Sequence, residues 1–290
     1  MGNSKSTSRR QDTNERKQQC NNPNRLSKGL YESEFEIDRL QRQHFFSQHL
    51  FGNNFSCPIE ETLRQGARVL DGGCGPGAWL LDMATHYPSS HFFGIDIVAA
   101  YPSQIKPENV NFYKCDLMRL ETLGFEENSF DMVRLSMMKT SLSEEKYAKI
   151  VDKMLKLLKP GGYFELLEVE MTSNFGPNFK RMKKTVEMSL GECVDHSLNL
   201  EKIIFATEQL IDIQRDARIV KLGPSGGFVG ELYLTLLEEF ITVSIGEMLR
   251  EFMAMTSKEF ELFCQQFKTE CLELGTEIPF VKTWGQKIAV

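Results

Sequence analysis

Long hydrophobic runs are missing from this chain of 290 residues. No uninterrupted apolar stretch approaches the ~18 residues a membrane-spanning helix needs. The richest segment, FVGELYLTLLEEFITVSIGEML, is broken by Glu231, Glu238, Glu239 and Glu247. Those acids recur at helical spacing, so the segment reads as an amphipathic helix. Paired metal-ligand patterns are missing as well. The five histidines form neither H-x-x-x-H nor H-E-x-x-H, and the seven cysteines include no C-x-x-C. Zinc knuckles and thioredoxin-type redox motifs are thereby excluded. No apolar signal sequence opens the chain, so the cysteines are expected to be reduced in a cytosolic or nuclear protein.

Basic charge is scarce outside the first residues. Residues 1–28 carry seven Lys and Arg against two acids, yet the whole chain has a net charge of −6. The body is therefore markedly acidic, which does not suit nucleic-acid binding. The basic head is poor in apolar side chains and is expected to be disordered. Its start, MGNSKS, fits the myristoylation pattern M-G-x-x-x-[ST] at Gly2. One acyl chain with a polybasic neighbour would give peripheral membrane association. An unmodified tail is the alternative.

What is present is a change of rhythm along the chain. A helix is expected from about Glu32 to His49, with Phe35, Leu40, Phe46 and Leu50 as its apolar positions and Leu40, Gln43, His44 and Ser47 sharing a face. From Ala67, β-rich runs alternate with helical ones: ARVLD, HFFGIDI, NVNFYKCDL, FDMVRLSMM and YFELLEVE as strands, GAWLLDMATHYP and EKYAKIVDKMLKLLKP as helices. Such alternation implies an α/β fold with a mostly parallel sheet between helices. Residues 171–215 read as mostly helical, ARIVKLG as a sixth strand, about 230–274 as helical, and IPFVKTWGQKIAV as a closing strand. The organisation expected is a tail (1–28), an N-terminal helical segment (29–66), a ligand-binding core (67–170), and a helical cap with the last strands of the same sheet (171–290).

The chemistry concentrates between strand one and the next helix, in Asp71-Gly72-Gly73-Cys74-Gly75-Pro76-Gly77. Glycines serve where φ is positive or a ligand approaches the backbone. Asp96 ends the second strand, where an acid can accept from both hydroxyls of a ribose. Two readings share these features. In a nicotinamide dehydrogenase, Gly73-x-Gly75-x-x-Ala78 would loosely match the dinucleotide fingerprint. Against it, Asp71 before the glycines would repel a pyrophosphate, while a carboxylate there can orient the loop and meet a cationic amino-acid group. Cys115-Asp116-Leu117 then ends the third strand, where an acid and an apolar residue can hold an adenine. Lys159-Pro160-Gly161-Gly162 places a turn before the fifth strand.

This ordered set, from Asp71 through Asp96, Asp116 and Phe130-Asp131 to Gly162, resembles class I S-adenosylmethionine-dependent methyltransferases. The resemblance implies a Rossmann-like sheet of seven strands with an antiparallel last strand. It implies that S-adenosyl-L-methionine is the cofactor, contacted by Gly73, Gly75 and Gly77 at its methionine part, by Asp96 at the ribose and by Asp116 with Leu117 at the adenine. A narrower resemblance, carried by Asp38, Arg39, Leu40, Gln43 and His44 before the loop and GGYFELLEVE after it, is to the fungal LaeA-like methyltransferase-domain proteins. That family tends to carry His and Arg on the fourth strand, where this chain has Arg134 and Ser136.

Methyl transfer needs a base only when the nucleophile arrives protonated. Glu168 and His44 are the candidates near the expected site; as plain structural residues they would be a solvated strand-end acid and a satisfied helix histidine. The substrate expected is a small molecule. The alternative to an enzyme is a regulatory protein that keeps the fold. Bland readings suit Lys180, Arg181, Lys183 and Lys184 as a solvated face, and Phe228, Phe240, Met248, Phe252, Met253, Met255, Phe260 and Phe263 as core.

Overall fold

The computed structural model describes residues 33–170, 175–190 and 200–289. The basic tail and the Gly2 pattern lie outside these residues. So does part of the segment after the fifth strand.

A first helix, α1 (Glu34–Phe51), starts where Ser33 accepts a hydrogen bond from the Glu36 N–H and ends at Gly52. A short α2 (Glu60–Gln65) leads into β1 (Arg68–Gly72), α3 (Ala78–His86), β2 (His91–Asp96), β3 (Val110–Lys114), β4 (Phe130–Ser136), α4 (Glu144–Leu157) and β5 (Leu158–Val169). The C-terminal part runs α5 (Pro177–Leu190), α6 (Leu200–Ala206), β6 (Leu210–Lys221), α7 (Gly227–Glu239), α8 (Gly246–Phe252), α9 (Ser257–Glu273) and β7 (Glu277–Lys287). The sheet order is β3-β2-β1-β4-β5-β7-β6. β7 runs antiparallel to both its neighbours, while β1 to β5 pair in parallel. The expected seven-stranded Rossmann-like sheet, with the C-terminal segment as its antiparallel strand, is what the chain forms.

Alternation along the strands builds a core on each face. Leu70, Ile95, Leu135 and Phe164 pack with Ile150, Val151 and Met154 of α4. Val69, Phe92 and Met132 pack on the opposite side with Leu63, Leu80 and Met83. A third cluster joins Phe46 of α1 and Phe280 of β7 to Leu234, Leu237, Phe263 and Phe267 of the cap.

Three expectations are corrected. Residues 210–215 belong to β6, because they pair with β7 from Leu210 onward; local propensity yields to the neighbouring strand. The Lys159-Pro160-Gly161-Gly162 turn lies inside β5 as an irregularity, with Gly161 left-handed and the β4 register shifting between Phe130 and Met132. Phe228 is 69% exposed rather than core, and Phe35, an apolar position of α1, is 75% exposed. Phe240, Met248, Phe252, Met253, Met255, Phe260 and Phe263 do join the cap core. Lys180, Arg181 and Lys184 are exposed.

Candidate functional site

The loop from Asp71 to Gly77 joins the C-terminal end of β1 to the start of α3, where ligands bind in open parallel sheets. The N–H groups of Gly73 and Cys74 both donate to the Ile95 carbonyl, at 2.8 and 3.1 Å. Gly73, Gly75 and Gly77 take left-handed backbone conformations. A β-carbon at Gly77 would stand 2.5 Å from the Phe112 ring, so nothing larger fits there. A β-carbon at Gly73 would meet the Met138 thioether at 2.2 Å, while Leu40 of α1 is the nearest side chain over Gly75. The loop is a backbone cradle, roofed by one residue after β4 and one from α1.

The predicted acids arrive at the ends of successive strands. Asp96 closes β2; its Oδ2 accepts from the Gly75 N–H at 2.8 Å and its Oδ1 from the Val98 N–H at 2.9 Å. Burial pushes its carboxyl above the usual range, and the N–H donors from Val98, Gly75 and Ile97 oppose that. Asp116 follows β3 and accepts from the Met118 N–H at 2.9 Å, capping a 3-10 turn, Leu117–Leu123. Leu117 lies against the end of β1, its Cδ2 3.3 Å from where a β-carbon at Gly72 would stand. It is 6% exposed and packs in the core with Leu70 and Ile95.

Asp71 is buried, and Arg134 of β4 donates from Nη1 to its Oδ1 at 2.9 Å. The two are register partners on adjacent strands. Desolvation raises the Asp71 carboxyl above its ordinary value, and the Arg134 charge and hydrogen bond oppose the rise. The same guanidinium lies 4.5 Å over the Trp79 ring, in the first turn of α3. The sequence offered one signal for this arrangement: an arginine inside the otherwise apolar run MVRL has to be paired once the strand is buried.

The two candidate bases have other work. Glu168 is 2% exposed, not a solvated strand-end acid. Its Oε1 accepts from the N–H groups of Met138 and Lys139, at 2.7 and 3.1 Å, and from Tyr147 Oη at 3.1 Å. Burial pushes it up to about 7 against those donors. Glu168 thus pins the segment after β4, where Met137 holds a left-handed φ of 56° and Met138 is set over Gly73. Sequence reading did not single out this turn. Among the described residues, Asn128, Glu208, Asp212 and Ala254 share a positive φ, but Met137 is the one next to the residue over Gly73. His44 Nε2 lies 3.4 Å from Asp82 Oδ2, which also accepts from Gln48 and Asn54 at 2.8 Å each. Burial, with the Arg134 charge next, lowers His44 to about 4 and keeps it neutral. It fastens α1 to α3.

Cys74 is buried, and burial with the nearby Asp71 and Asp96 charges raises its thiol; it is inert packing. A surface cleft of about 680 Å³ lies elsewhere, along Gln48, Asn53, Ser56, Glu60 and Tyr87.

A sheet of this order, with an acid–glycine cradle after β1 and acids ending β2 and following β3, defines the class I methyltransferase fold. Residues 69–162 match the family described as Methyltransferase domain. It is 35% identical over 150 residues to a secondary metabolism regulator of Cochliobolus heterostrophus, covering 50% of this chain and 47% of the relative. It is 24% identical over 273 residues to the N-methyltransferase tcpN of Claviceps purpurea, covering 87% of this chain and 94% of the relative. The chain spans about half or less of the length of the regulators it matches. Among solved structures, phosphoethanolamine N-methyltransferase 2 of Haemonchus contortus superposes with a TM-score of 0.52 at 20% identity, over 86% of this chain and 58% of that one.

Proposed function

We propose that this protein is an S-adenosylmethionine-dependent methyltransferase acting on a small-molecule acceptor. The observation that carries the reading is the placement of the Gly73–Gly77 cradle between Asp71, Asp96 and Asp116 at one edge of the sheet. The residues fit the cofactor. The cradle offers bare backbone at Gly75, and a helix begins at Ala78. Asp96 is held at the end of β2 as a ribose acceptor, and Asp116 stands at the end of β3 for the adenine. When bound, the cofactor supplies an electrophilic methyl group on a sulfonium. The chain's part is to align the acceptor and exclude water. Leu40 and Met138 roof the cradle and serve the second task. Neither Glu168 nor His44 is assigned as a base in this reading, because both are engaged in structural hydrogen bonds.

A relative that aligns over nearly its whole length is named an N-methyltransferase, which supports an amine nitrogen as acceptor. A neutral amine needs only positioning, whereas one that arrives as its ammonium must first lose a proton. The relatives named as regulators favour a second reading, a methyltransferase-fold regulator. Titration calorimetry of the full chain with S-adenosylhomocysteine tests the cofactor reading: saturable binding is expected, and no heat at any concentration overturns it. Turnover of S-adenosylmethionine across a panel of amines, acids and phenols then separates enzyme from regulator. For the tail, we propose acylation at Gly2 and peripheral membrane attachment of a cytosolic protein, on the sequence pattern alone. An unmodified amino terminus by mass spectrometry of protein from a eukaryotic source defeats it.

A further inference from the structure

Arg134 is contacted from both ends of the glycine loop. Asp71, just before the loop, accepts from its Nη1 at 2.9 Å, and the Trp79 ring, just after it, has its centroid 4.5 Å from the guanidinium carbon. Yet the Nε–H of Arg134 is buried and has no hydrogen-bond partner. The side chain is 7% exposed, so water does not stand in freely. A buried, charged donor left unpaired is costly unless something completes it. On β5, Glu165 is the register partner of Arg134. It is turned to the Ser56 and Cys57 N–H groups through Oε2, and its Oε1 is unpartnered too. The guanidinium has therefore chosen the loop side. The other cation on this face, Lys282, is occupied by two bonds to Asn53. His44 is neutral there. The next residue on the Arg134 face toward the open strand end is Ser136, a small side chain.

We propose that Arg134 is the carboxylate anchor for the amino-acid end of the cofactor, completing its free guanidinium edge when the ligand is seated on the glycine loop. This rests on the cofactor reading above. The chemistry suits a zwitterion. Asp71 neutralises one edge of the guanidinium and leaves the other for an anion, while the Asp71 carboxylate itself attracts the α-ammonium. A planar guanidinium held by a ring and one acid is already oriented, which favours a directional, charge-assisted bond.

The test is titration calorimetry of the full chain with three ligands: S-adenosylhomocysteine, its decarboxylated analogue, and 5′-methylthioadenosine, which lacks the whole amino-acid end. Wild-type protein is expected to prefer S-adenosylhomocysteine over the decarboxylated analogue by about 10- to 100-fold, the range of a charge-assisted hydrogen bond. Arg134→Gln is expected to abolish that preference while leaving 5′-methylthioadenosine affinity unchanged. Arg134→Lys is expected to restore part of it. The assignment is overturned if the preference survives in Arg134→Gln, or if that variant weakens 5′-methylthioadenosine as much as S-adenosylhomocysteine, as a purely structural role predicts. Should Arg134→Gln fail to fold, the wild-type arm still decides: equal binding of acid and decarboxylated ligand ends the proposal. Absence of binding by all three ligands removes the cofactor reading and this assignment together, a result distinct from those above.

Discussion

Arg134 of β4 and Asp71 of β1 face each other across paired parallel strands, joined at 2.9 Å and both buried. The pair joins the strand bearing the glycine loop to its neighbour. Removing one member of a buried pair leaves an uncompensated charge, typically costing about 3–5 kcal/mol. Asp71→Ala should lose stability of that order in urea unfolding. The double variant Asp71→Leu with Arg134→Met should recover most of it, since apolar groups of similar volume need no partner. A double variant no more stable than Asp71→Ala contradicts this account.

The loop glycines should not be equivalent. Gly75 and Gly77 both have positive φ, but the nearest side chain to a β-carbon at Gly75 is Leu40 at 3.8 Å, against 2.5 Å to the Phe112 ring at Gly77. Gly75→Ala carries left-handed strain alone, about 1–2 kcal/mol. Gly77→Ala adds an overpacking cost of about 1–3 kcal/mol. Thermal unfolding should rank Gly77→Ala below Gly75→Ala, and Phe112→Leu in the Gly77→Ala background should return part of the loss.

Glu168 and His44 give the stability opposite slopes with pH. The folded Glu168 carboxyl, at about 7, holds its proton more tightly than the unfolded one at 4.5, so stability falls as pH rises from about 4.5 to 7. The full span is about 3 kcal/mol. His44, lowered from 6.5 to about 4, resists protonation when folded, so stability is lost as pH falls through that window. Glu168→Gln keeps an oxygen for the Met138 and Lys139 N–H groups and removes the titration. Urea unfolding from pH 5 to 8 should show the variant gaining on wild type as pH rises. A constant difference would show that Glu168 does not titrate in this range.

The cap is latched to α1 by a second buried group. Arg39 donates through Nε and Nη2 to both oxygens of Glu36, at 2.8 and 2.7 Å, and through Nη1 to Gln43 at 2.7 Å. Ser244, in the π-helical turn Phe240–Ser244, donates to Glu36 as well. Arg39→Ala leaves Glu36 buried without its countercharge, again about 3–5 kcal/mol. Hydrogen exchange should accelerate together in residues 34–51 and 240–244, with β1 and β2 unaffected. Protection lost in α1 alone would mean the latch does not join the two.

Much of the site was readable because its signals are local. Glycines need positive φ within one loop, an acid ends a strand whose apolar run ends beside it, and the βα rhythm repeats within a few dozen residues. The failures share the opposite cause. Residues 210–215 become strand only because β7, more than sixty residues away in sequence, offers its edge. Leu117, next to Asp116, opens a 3-10 turn and is buried beside Gly72 and Leu70, a packing that only the fold reveals. Glu168 read as a free acid because its three donors, Met138, Lys139 and Tyr147, belong to another strand's end and another helix.

The sequence alone therefore determined the fold class, the cradle and the order of the acids along the sheet, since backbone conformation and strand alternation are written in neighbouring residues. Only the tertiary structure decided what those groups face. Strand register set Arg134 beside Asp71, burial turned Glu168 and His44 into fasteners, and the packing around Arg134 left its Nε–H without a partner.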